Sequence, residues 1–524
     1  MPFFMTQGFG AFNDNVFKNA LAALLVFESS KMAGLNTDQL VNFSAMVFIL
    51  PFFLFSALFG QFADKYEKSM QIRRVKLLEV VIMLLATLGF WLDNVPLLMF
   101  VLFLLGLQST IFGPIKYGIL PRILKREELV GGNALIEMGT FVAILGGTIA
   151  GPQLAGIEAS WPYWASAACL AVAVTGYLFS LRIPPSPAVA PDLEISWNIF
   201  AETVRNMKFI NQNRTVLNSV LGISWFWFFG AIFLVQIPSY TQNVLGGDKH
   251  LMSALLALFI IGISTGSLLC ERLSGKQVEI GLVPFGAIGL TLFGLDLYFA
   301  SPEAPVAGIT VMEFLADGNN WRIVIDLLLI GTFGGFYIVP LYALVQSRSE
   351  QDHLSRVIAG LNILNSLFMV VAAVSAMLIL GPAGLSIPEL FLITAVLNAV
   401  VAVYIFTLVP EFLMRFLVWI LIHTIYRVKV TGMDHIPEEG PVIVASNHVS
   451  FADPLILGGM IRRPVNFVMY HKIYKIPVLN FIFRTGKAIP IAGRAENPEI
   501  LENAYRKMHG VLESEDVLGI FPEG

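Results

Sequence analysis

Twelve long apolar stretches run through most of this 524-residue chain and limit it to folds that span a membrane. Each is long enough to cross a hydrocarbon core of ~30 Å as a helix. Only 13% of the residues are charged, against about 25% in soluble domains. The predicted spans are residues 7–31, 38–63, 73–92, 96–120, 131–157, 160–182, 214–244, 250–271, 277–299, 322–346, 355–381 and 386–409.

A polar stretch at 183–213 divides the spans six and six. It opens with Pro184-Pro185-Ser186-Pro187 and continues as an amphipathic helix, which we expect to lie on the membrane surface. The sequence therefore predicts an α-helical membrane protein with a six-helix bundle at 1–182, a linker at 183–213 and a second bundle at 214–410.

Lysine and arginine are concentrated in the loops on one side of the predicted bundle, which places that side in the cytoplasm. Those loops hold Lys65, Lys68, Arg73, Arg74, Lys76, Arg122, Lys125, Arg126, Arg182, Arg205, Lys208, Arg214, Arg272, Lys276 and Arg348. The opposite loops hold little beyond Lys31, Lys249 and Arg322. We expect both ends of the bundle, and everything after residue 410, to face the cytoplasm.

The net charge of -4 gives no indication of nucleic-acid binding. The two cysteines, Cys169 and Cys270, lie in apolar segments and indicate packing rather than a disulfide framework or a metal site. We expect no metal and no cofactor.

The last hundred residues have a different pattern. An apolar segment at 411–427 is too short to span and contains Arg415 and His423, so we expect an interfacial helix. Alternating strands and helices then predict an incomplete cytosolic α/β domain at 428–524. The predicted strands are Val428–Val430, Pro441–Ala445, Val465–Met469 and Val517–Phe521, with helices at 454–463 and 498–513.

Charges inside the spans are costly in hydrocarbon and therefore informative. Asp14, Lys18, Lys116 and Glu137 are all predicted at similar depth in the first bundle, where they would neutralise one another. The second bundle has no comparable set; its main internal polar residues are Gln236, Asn362 and Asn365, and it carries the aromatic run 225–229. We expect a cavity that is charged on the side of the first bundle and apolar and aromatic on the side of the second. A ligand with a charged head group and a long acyl tail would suit such a cavity. The alternative is an ion-pair cluster that only locks helices together.

The loop after span two contains Gly60, Asp64 and Lys65, and it resembles the signature loop of the major facilitator superfamily. A partial match to the same loop pattern follows span eight, at Gly266, Glu271, Arg272, Gly275 and Lys276. The resemblance implies that Asp64 caps a helix and helps to latch a cytoplasmic gate. The alternative is a charged loop that merely sets topology.

Within that superfamily, three segments are similar to the lysophospholipid transporters: Asp14-Asn15, 116–120 and 131–134. This resemblance implies movement of lysophospholipid between leaflets of the bacterial inner membrane.

His448 and Asp453 follow an apolar strand, with Asn447 before them and Pro454 after. A histidine can take a hydroxyl proton near neutral pH, and a carboxylate can fix its tautomer. Since Pro454 favours the first helical position, we expect Asp453 to cap that helix. Together with the run Phe521-Pro522-Glu523-Gly524, these residues resemble glycerolipid acyltransferases of the 1-acylglycerol-phosphate type.

The acyltransferase resemblance implies that His448 is the base, that Asp453 orients it, and that Glu523 and Gly524 help to bind the acceptor. Arg494 is the matching candidate for binding the acceptor phosphate, since a guanidinium fits phosphate geometry. Lys472, Lys475 and Arg484 are expected to form a basic surface facing anionic lipid. Because the sequence stops within this last run, we expect a longer native chain and little acyltransferase activity from these residues alone.

The sequence thus predicts a lysophospholipid importer fused to an O-acyltransferase. The expected partners are lysophospholipid, membrane lipid and an acyl donor, either acyl carrier protein or acyl-CoA, and no nucleic acid. One alternative is a solute or drug antiporter fused to a lysophosphatidic-acid acyltransferase. Another is an inert membrane scaffold, against which the charges inside the spans count.

Overall fold

A computed structural model of the chain describes residues 1–27, 37–155, 161–274, 281–408, 410–437, 440–461, 463–477 and 479–523. It divides into two compact units. The first comprises Met1–Val278 and Gly286–Ala399, and the second comprises Glu279–Phe285 and Val400–Gly524.

Each predicted span coincides with a helix of at least 19 residues in the described part of the chain. The first half contains α1 (Pro2–Phe27), α2 (Thr37–Lys65), α3 (Lys68–Trp91), α4 (Val95–Gly118), α5 (Leu120–Ile123), α6 (Leu129–Ala155) and α7 (Trp161–Ser180). The linker helix is α8 (Ile199–Gln212). The second half contains α9 (Arg214–Tyr240), α10 (Lys249–Leu273), α11 (Leu282–Ala300), α12 (Val311–Ala316), α13 (Trp321–Arg348), α14 (Leu354–Leu380) and α15 (Ile387–Leu408). Lys31, Gly275 and Lys276 lie outside the described residues.

Ten helices in the described part of the chain are long and apolar enough to cross a membrane, and α1 and α3 are not among them. Both of these helices carry charged side chains in their interiors. The two halves meet where α2 packs on α14 and where α6 packs on α10. We refer to the end of the bundle that holds the α2–α3 turn, the α4–α6 turn and the start of α14 as the linker end.

The predicted amphipathic helix of the linker is α8, which packs on α2, α9 and α14. Its buried face consists of Glu202, Asn206 and Ile210, whereas Phe200 and Val204 are exposed. Apolar side chains directed outward are what a helix in contact with lipid requires.

The second unit contains α16 (Pro410–Ile425) and an α/β domain. The domain's elements are β1 (Val442–Ala445), α17 (Asp453–Met460), β2 (Val465–Tyr470), α18 (His471–Tyr474), α19 (Leu479–Thr485), β3 (Ile489–Ile491), α20 (Pro498–Glu513) and β4 (Val517–Ile520). The four strands form one parallel sheet in the order β1-β4-β2-β3.

Successive residues of β4 anchor separate hydrophobic clusters, because side chains of a strand alternate between the two faces. Val517 packs in the cluster that includes Leu457 of α17, and Leu518 packs in the cluster that includes Ala504 of α20. The sheet is thus covered by helices on both faces, as parallel sheets generally are.

Three local predictions for this domain are wrong. Val428–Val430 is not a strand, because β-propensity forms no strand without a partner in the sheet. Ile489–Ile491 is a strand that the prediction missed; its Pro490 is tolerated because β3 lies at the sheet edge. Asp453, rather than Pro454, is the first residue of α17, and the N-cap is Ala452.

Candidate functional sites

The carboxyl ends of the four parallel strands meet at one edge of the sheet, which is where α/β domains commonly bind ligands. His448 follows β1, and Phe521 and Glu523 follow β4. His471 follows β2 and Arg494 follows β3. The fold therefore gathers the predicted acyltransferase residues at a common edge, although they are separated by up to about seventy positions in sequence.

His448 and Asp453 form a hydrogen-bonded pair. Nδ1 of His448 lies 3.1 Å from Oδ2 of Asp453. The backbone N–H groups of Ser450 and Val449 each donate to the same oxygen at 2.7 Å, and these donors hold the pKa of the Asp453 carboxyl below its usual range. An ionised carboxylate only accepts hydrogen bonds, so Nδ1 carries the proton and Nε2 is left as a base.

The ring of Phe521 connects the two predicted motifs. Its centroid lies 4.5 Å from that of His448 and 5.9 Å from that of Phe467 on β2. Phe467 thus holds the ring of Phe521 against the imidazole, which restricts the orientation of His448 in addition to its bond with Asp453. The motifs that follow β1 and β4 thus act on the same side chain.

The predicted acceptor-binding residues are solvent-exposed at this edge. Arg494 lies on the loop after β3, Glu523 lies on the turn after β4, and Gly524 is outside the described residues. An exposed guanidinium on the same edge as the imidazole is suitably placed for the phosphate of an incoming lipid.

Glu496 was not predicted as part of the site, although it stabilises the loop that carries Arg494. Its Oε1 accepts from the hydroxyl of Tyr470 at 2.9 Å and lies 2.8 Å from Nζ of Lys472 and 3.2 Å from Nε2 of His471. Lys472 and these neighbours lower the pKa of Glu496 to about 2. Its partners are the last residue of β2 and the two residues after it, so only the parallel pairing of β2 with β3 reveals the contact.

In the first unit, the four predicted charges separate into two groups. Asp14 accepts a hydrogen bond from Ser109 of α4 at 2.6 Å. Lys116 lies seven residues beyond Ser109 on α4, which is ~10 Å along the helix axis. The four charges therefore do not lie at a similar depth, and that prediction is wrong. Lys116 instead donates to Thr140 at 2.9 Å, and Glu137 accepts from Tyr117 at 2.6 Å.

The remaining predicted cavity residues pack along α1. Nζ of Lys18 lies 5.0 Å from the ring centroid of Phe48, a cation–π distance. Asn15 donates to the carbonyl of Ala11, and its side chain lies against Gly147 of α6.

The polar group around Asp14 contains a buried ion pair that the prediction missed. Lys76 and Glu79 of α3 are 2.7 Å apart and each is 1% exposed. Glu79 also accepts from Asn13 at 3.0 Å and from Gln108 at 3.2 Å. Lys76 was assigned to a cytoplasmic loop, but α3 begins at Lys68, which places Lys76 two turns inside the helix. We refer to Asn13, Asp14, Lys76, Glu79, Gln108 and Ser109 as the α1–α3–α4 polar cluster.

The second half also carries charges, contrary to prediction. Asp326 of α13 is buried, and Arg322, one turn before it, pairs with Asp296 of α11. The aromatic run of α9 serves packing and hydrogen bonding: the indole N–H of Trp225 donates to Asn398, and Trp227 stacks on Phe141.

Side chains from both halves join at the linker end. Asp64 accepts from the backbone N–H of Ser355 at 3.3 Å and from Nε of Arg356 at 3.1 Å. Asp64 thus caps the start of α14 in the opposite half. Lys68, rather than the predicted Lys65, completes this group, with Nζ 3.0 Å from Oγ of Ser355.

A second set of contacts closes the linker end between α4, α6 and α13. The side-chain amides of Asn133 and Gln346 exchange hydrogen bonds of 2.7 and 3.1 Å. The rings of Tyr117 and Tyr342 stack at 4.3 Å. This conformation is therefore held together at the linker end by polar and aromatic contacts between the halves.

We expect Gly60→Ala to open the linker end. A Cβ at Gly60 would lie 2.7 Å from Cβ of Ala359, which forces α2 and α14 apart. Spin labels at Tyr66 and Glu350 should report a longer distance distribution by pulsed electron resonance. Gly8→Ala is the matched control, because its added Cβ meets nothing within 4 Å. Identical distributions for the two variants would contradict the expectation.

Comparison with known proteins agrees with this geometry. The family model described as Major Facilitator Superfamily matches residues 3–318. The chain belongs to the major facilitator superfamily. A second family model, described as Acyltransferase, matches residues 427–524, so the superfamily bundle is followed by an acyltransferase domain.

The curated relatives of this superfamily member include the lysophospholipid transporter LplT of Photorhabdus laumondii, which is 27% identical over 351 residues. That alignment covers 66% of this chain and 79% of the relative. LplT of Escherichia coli O157:H7 is 28% identical over 356 residues, covering 66% and 80%.

Among solved structures, the human organic anion transporter MFSD10 matches with a TM-score of 0.58 at 12% identity, covering 77% of this chain and 99% of that one. FucP in its outward conformation matches with a TM-score of 0.55 at 12% identity, covering 76% and 97%. At these identities the likeness concerns the fold alone.

Proposed function

We propose that the protein moves lysophospholipid from the outer to the inner leaflet of the bacterial inner membrane and re-acylates it on the cytoplasmic side. The observation that carries this proposal is one chain containing both an LplT-like bundle and a preformed His448–Asp453 pair. The bundle alone, or the catalytic pair alone, would be compatible with several functions. Joined, they share one substrate class, because the product of import is the acceptor for acylation.

Orientation supports the same order of events. The turns and linker at the linker end carry most of the loop arginines and lysines, which favours the cytoplasm for that side. With an even number of spans, the acyltransferase domain follows on the same side. Tethering raises the effective concentration of imported lipid near the catalytic pair.

The α1–α3–α4 polar cluster supports a lipid with a charged head group. Buried carboxylates and ammonium groups in a membrane-spanning bundle are expensive and typically mark a substrate or ion pathway. Asp14 and Lys76 place an acid and a base in this cluster, and buried apolar residues of the same helices pack beside them. The relatives do not favour the antiporter alternative, because those reported above are named as lysophospholipid transporters.

Acyl transfer by this pair needs no covalent enzyme intermediate. Nε2 of His448 takes the proton of the lysolipid hydroxyl as its oxygen attacks the thioester carbonyl carbon. The tetrahedral intermediate collapses, the carbon–sulfur bond breaks, and the imidazolium returns the proton to the leaving thiolate. Asp453 stabilises the imidazolium between these two proton transfers.

The proposal is tested with labelled lysophospholipid added to spheroplasts. Cells that express the protein should accumulate label in the inner leaflet and convert it to diacyl lipid. The control is a strain that expresses only residues 411–524. Unchanged uptake without the transporter half would contradict an import function.

Asp14→Ala should lower this uptake by about 10- to 100-fold, the range for losing a charge-assisted hydrogen bond of ~1.5–3 kcal/mol. The control is Lys125→Ala, which removes an exposed loop charge and should leave uptake unchanged. Folding of both variants is checked by their elution from a sizing column. Normal uptake by a folded Asp14→Ala protein would favour the alternative in which the charges only lock helices together.

A further inference from the structure

Helix α16 has two apolar faces. One is buried within the second unit, where α16 packs on α17; its residues are Leu413, Phe416 and Ile422. The other is an exposed stripe at a spacing of four residues, formed by Leu417, Leu421 and Ile425. Since residues four apart lie on one side of a helix, the stripe is continuous. A soluble domain seldom leaves such a stripe uncovered.

Helix α19 extends this apolar surface. It contacts α16, and among its described residues none is buried. Phe481 is 63% exposed, and Leu479 and Ile482 are exposed beside it. A phenylalanine so exposed on a seven-residue helix contributes little to the core, which indicates that something outside the domain covers it.

Basic side chains border the same helix. A cavity of about 390 Å³ lies between α19, α20 and the amino edge of the sheet, and Arg484, Lys487 and Lys507 line it. The lining residues that the structure describes include one acid, Asp516. A second cavity, of about 670 Å³, shares Arg484 and is bordered by Phe481. Cations and exposed apolar side chains are thus adjacent.

We propose that α16 and α19 form one surface that docks the acyltransferase unit on a bilayer containing anionic phospholipid. The apolar side chains enter the boundary between head groups and acyl chains, and Arg484, Lys487 and Lys507 contact lipid phosphates. An apolar face bordered by lysine and arginine is the pattern of interfacial helices. The inference does not rest on the proposed function, since it requires neither lysolipid import nor acyl transfer.

Docking is tested by fluorescence in nanodiscs that contain the full chain. The natural cysteines, Cys169 and Cys270, are buried, so Phe481→Cys and Tyr505→Cys can each be labelled singly with an environment-sensitive dye. Tyr505 is similarly exposed and lies on α20, but it is not among the residues that line either cavity, and residues two apart such as Tyr505 and Lys507 do not share a face of a helix. Lipids carrying a doxyl quencher should quench the dye at position 481 roughly twofold or more above position 505, because interfacial side chains insert ~5–10 Å. Equal quenching at the two positions would overturn the proposal.

The charge contribution is measured separately with Arg484→Gln/Lys487→Gln/Lys507→Gln. Quenching at position 481 should be stronger with phosphatidylglycerol than with phosphatidylcholine alone, and the triple variant should lose most of this difference. Each neutralised cation near an anionic surface weakens association about fivefold. Arg506→Gln, on α20 but outside the residues lining the cavity, is the control and should retain the difference. A triple variant with an unchanged lipid preference would exclude the phosphate contacts and overturn the proposal as stated.

Discussion

Replacing His448 with alanine is expected to lower the rate of acyl transfer by about 10³-fold, within the ~10²–10⁴-fold range for a general base. The alanine has no group to accept the hydroxyl proton, and the structure offers Nε2 of His448 with its tautomer fixed by Asp453. The measurement is transfer of labelled acyl groups from acyl-CoA, or from acyl carrier protein, to lysophospholipid by the intact protein in membranes.

Asp453→Asn should also slow transfer, because a carboxamide can present N–H to the imidazole and favour the wrong tautomer. His509→Ala is the matched control, since this histidine is exposed on α20 and pairs only with Glu513 in the contacts described. Uptake of lysolipid by the bundle should be the same in all three variants. If the His448→Ala protein retained most of its transfer rate, direct transfer with this histidine as base would be wrong.

Lys76→Met is expected to destabilise the first unit by about 3–5 kcal/mol and to abolish uptake. Removing the ammonium leaves the Glu79 carboxylate buried without its ion-pair partner, with hydrogen bonds only from Asn13 and Gln108. The loss of stability is measured as a fall in Tm in detergent. Arg322→Ala is the comparison, because Arg322 and Asp296 form an exposed pair whose removal should lower the Tm far less.

The double variant Lys76→Met/Glu79→Gln distinguishes transport from packing. It removes both charges, so the stability lost in the single variant should largely return. Uptake should remain low, because the cluster has lost its Lys76–Glu79 ion pair and keeps only the carboxyl of Asp14. Recovery of uptake together with stability would mean that the pair only locks α3 in place, and the head-group role would have to be abandoned.

The positions of the twelve long helices described for the bundle could be predicted, because the hydrophobicity of a segment is a local property that the fold does not alter. The His448–Asp453 pair could also be predicted from local sequence, because its members are five positions apart and one turn brings them together. The partners of Asp64 and Glu496 could not. Arg356 is 292 positions from Asp64, and Tyr470 reaches Glu496 only through the pairing of β2 with β3.

Lys76 was misassigned for a different reason. A basic residue near the start of a span is usually a topology signal, and the sequence gives no sign that α3 begins as early as Lys68. The position of Glu79, one turn further on, was the available clue, because an acid and a base three residues apart face the same side of a helix. Similarly, assigning Lys116 and Asp14 to one depth ignored the ~10 Å between Ser109 and Lys116.

The contacts that shut the linker end have a consequence for how the two activities are timed. If the bundle releases lysophospholipid at this end, as we propose, release requires both the Asp64–Arg356 contact and the Asn133–Gln346 contact to break. The acceptor then reaches the acyltransferase domain only while the linker end is open. The rate at which these contacts break would therefore set an upper limit on the rate of re-acylation.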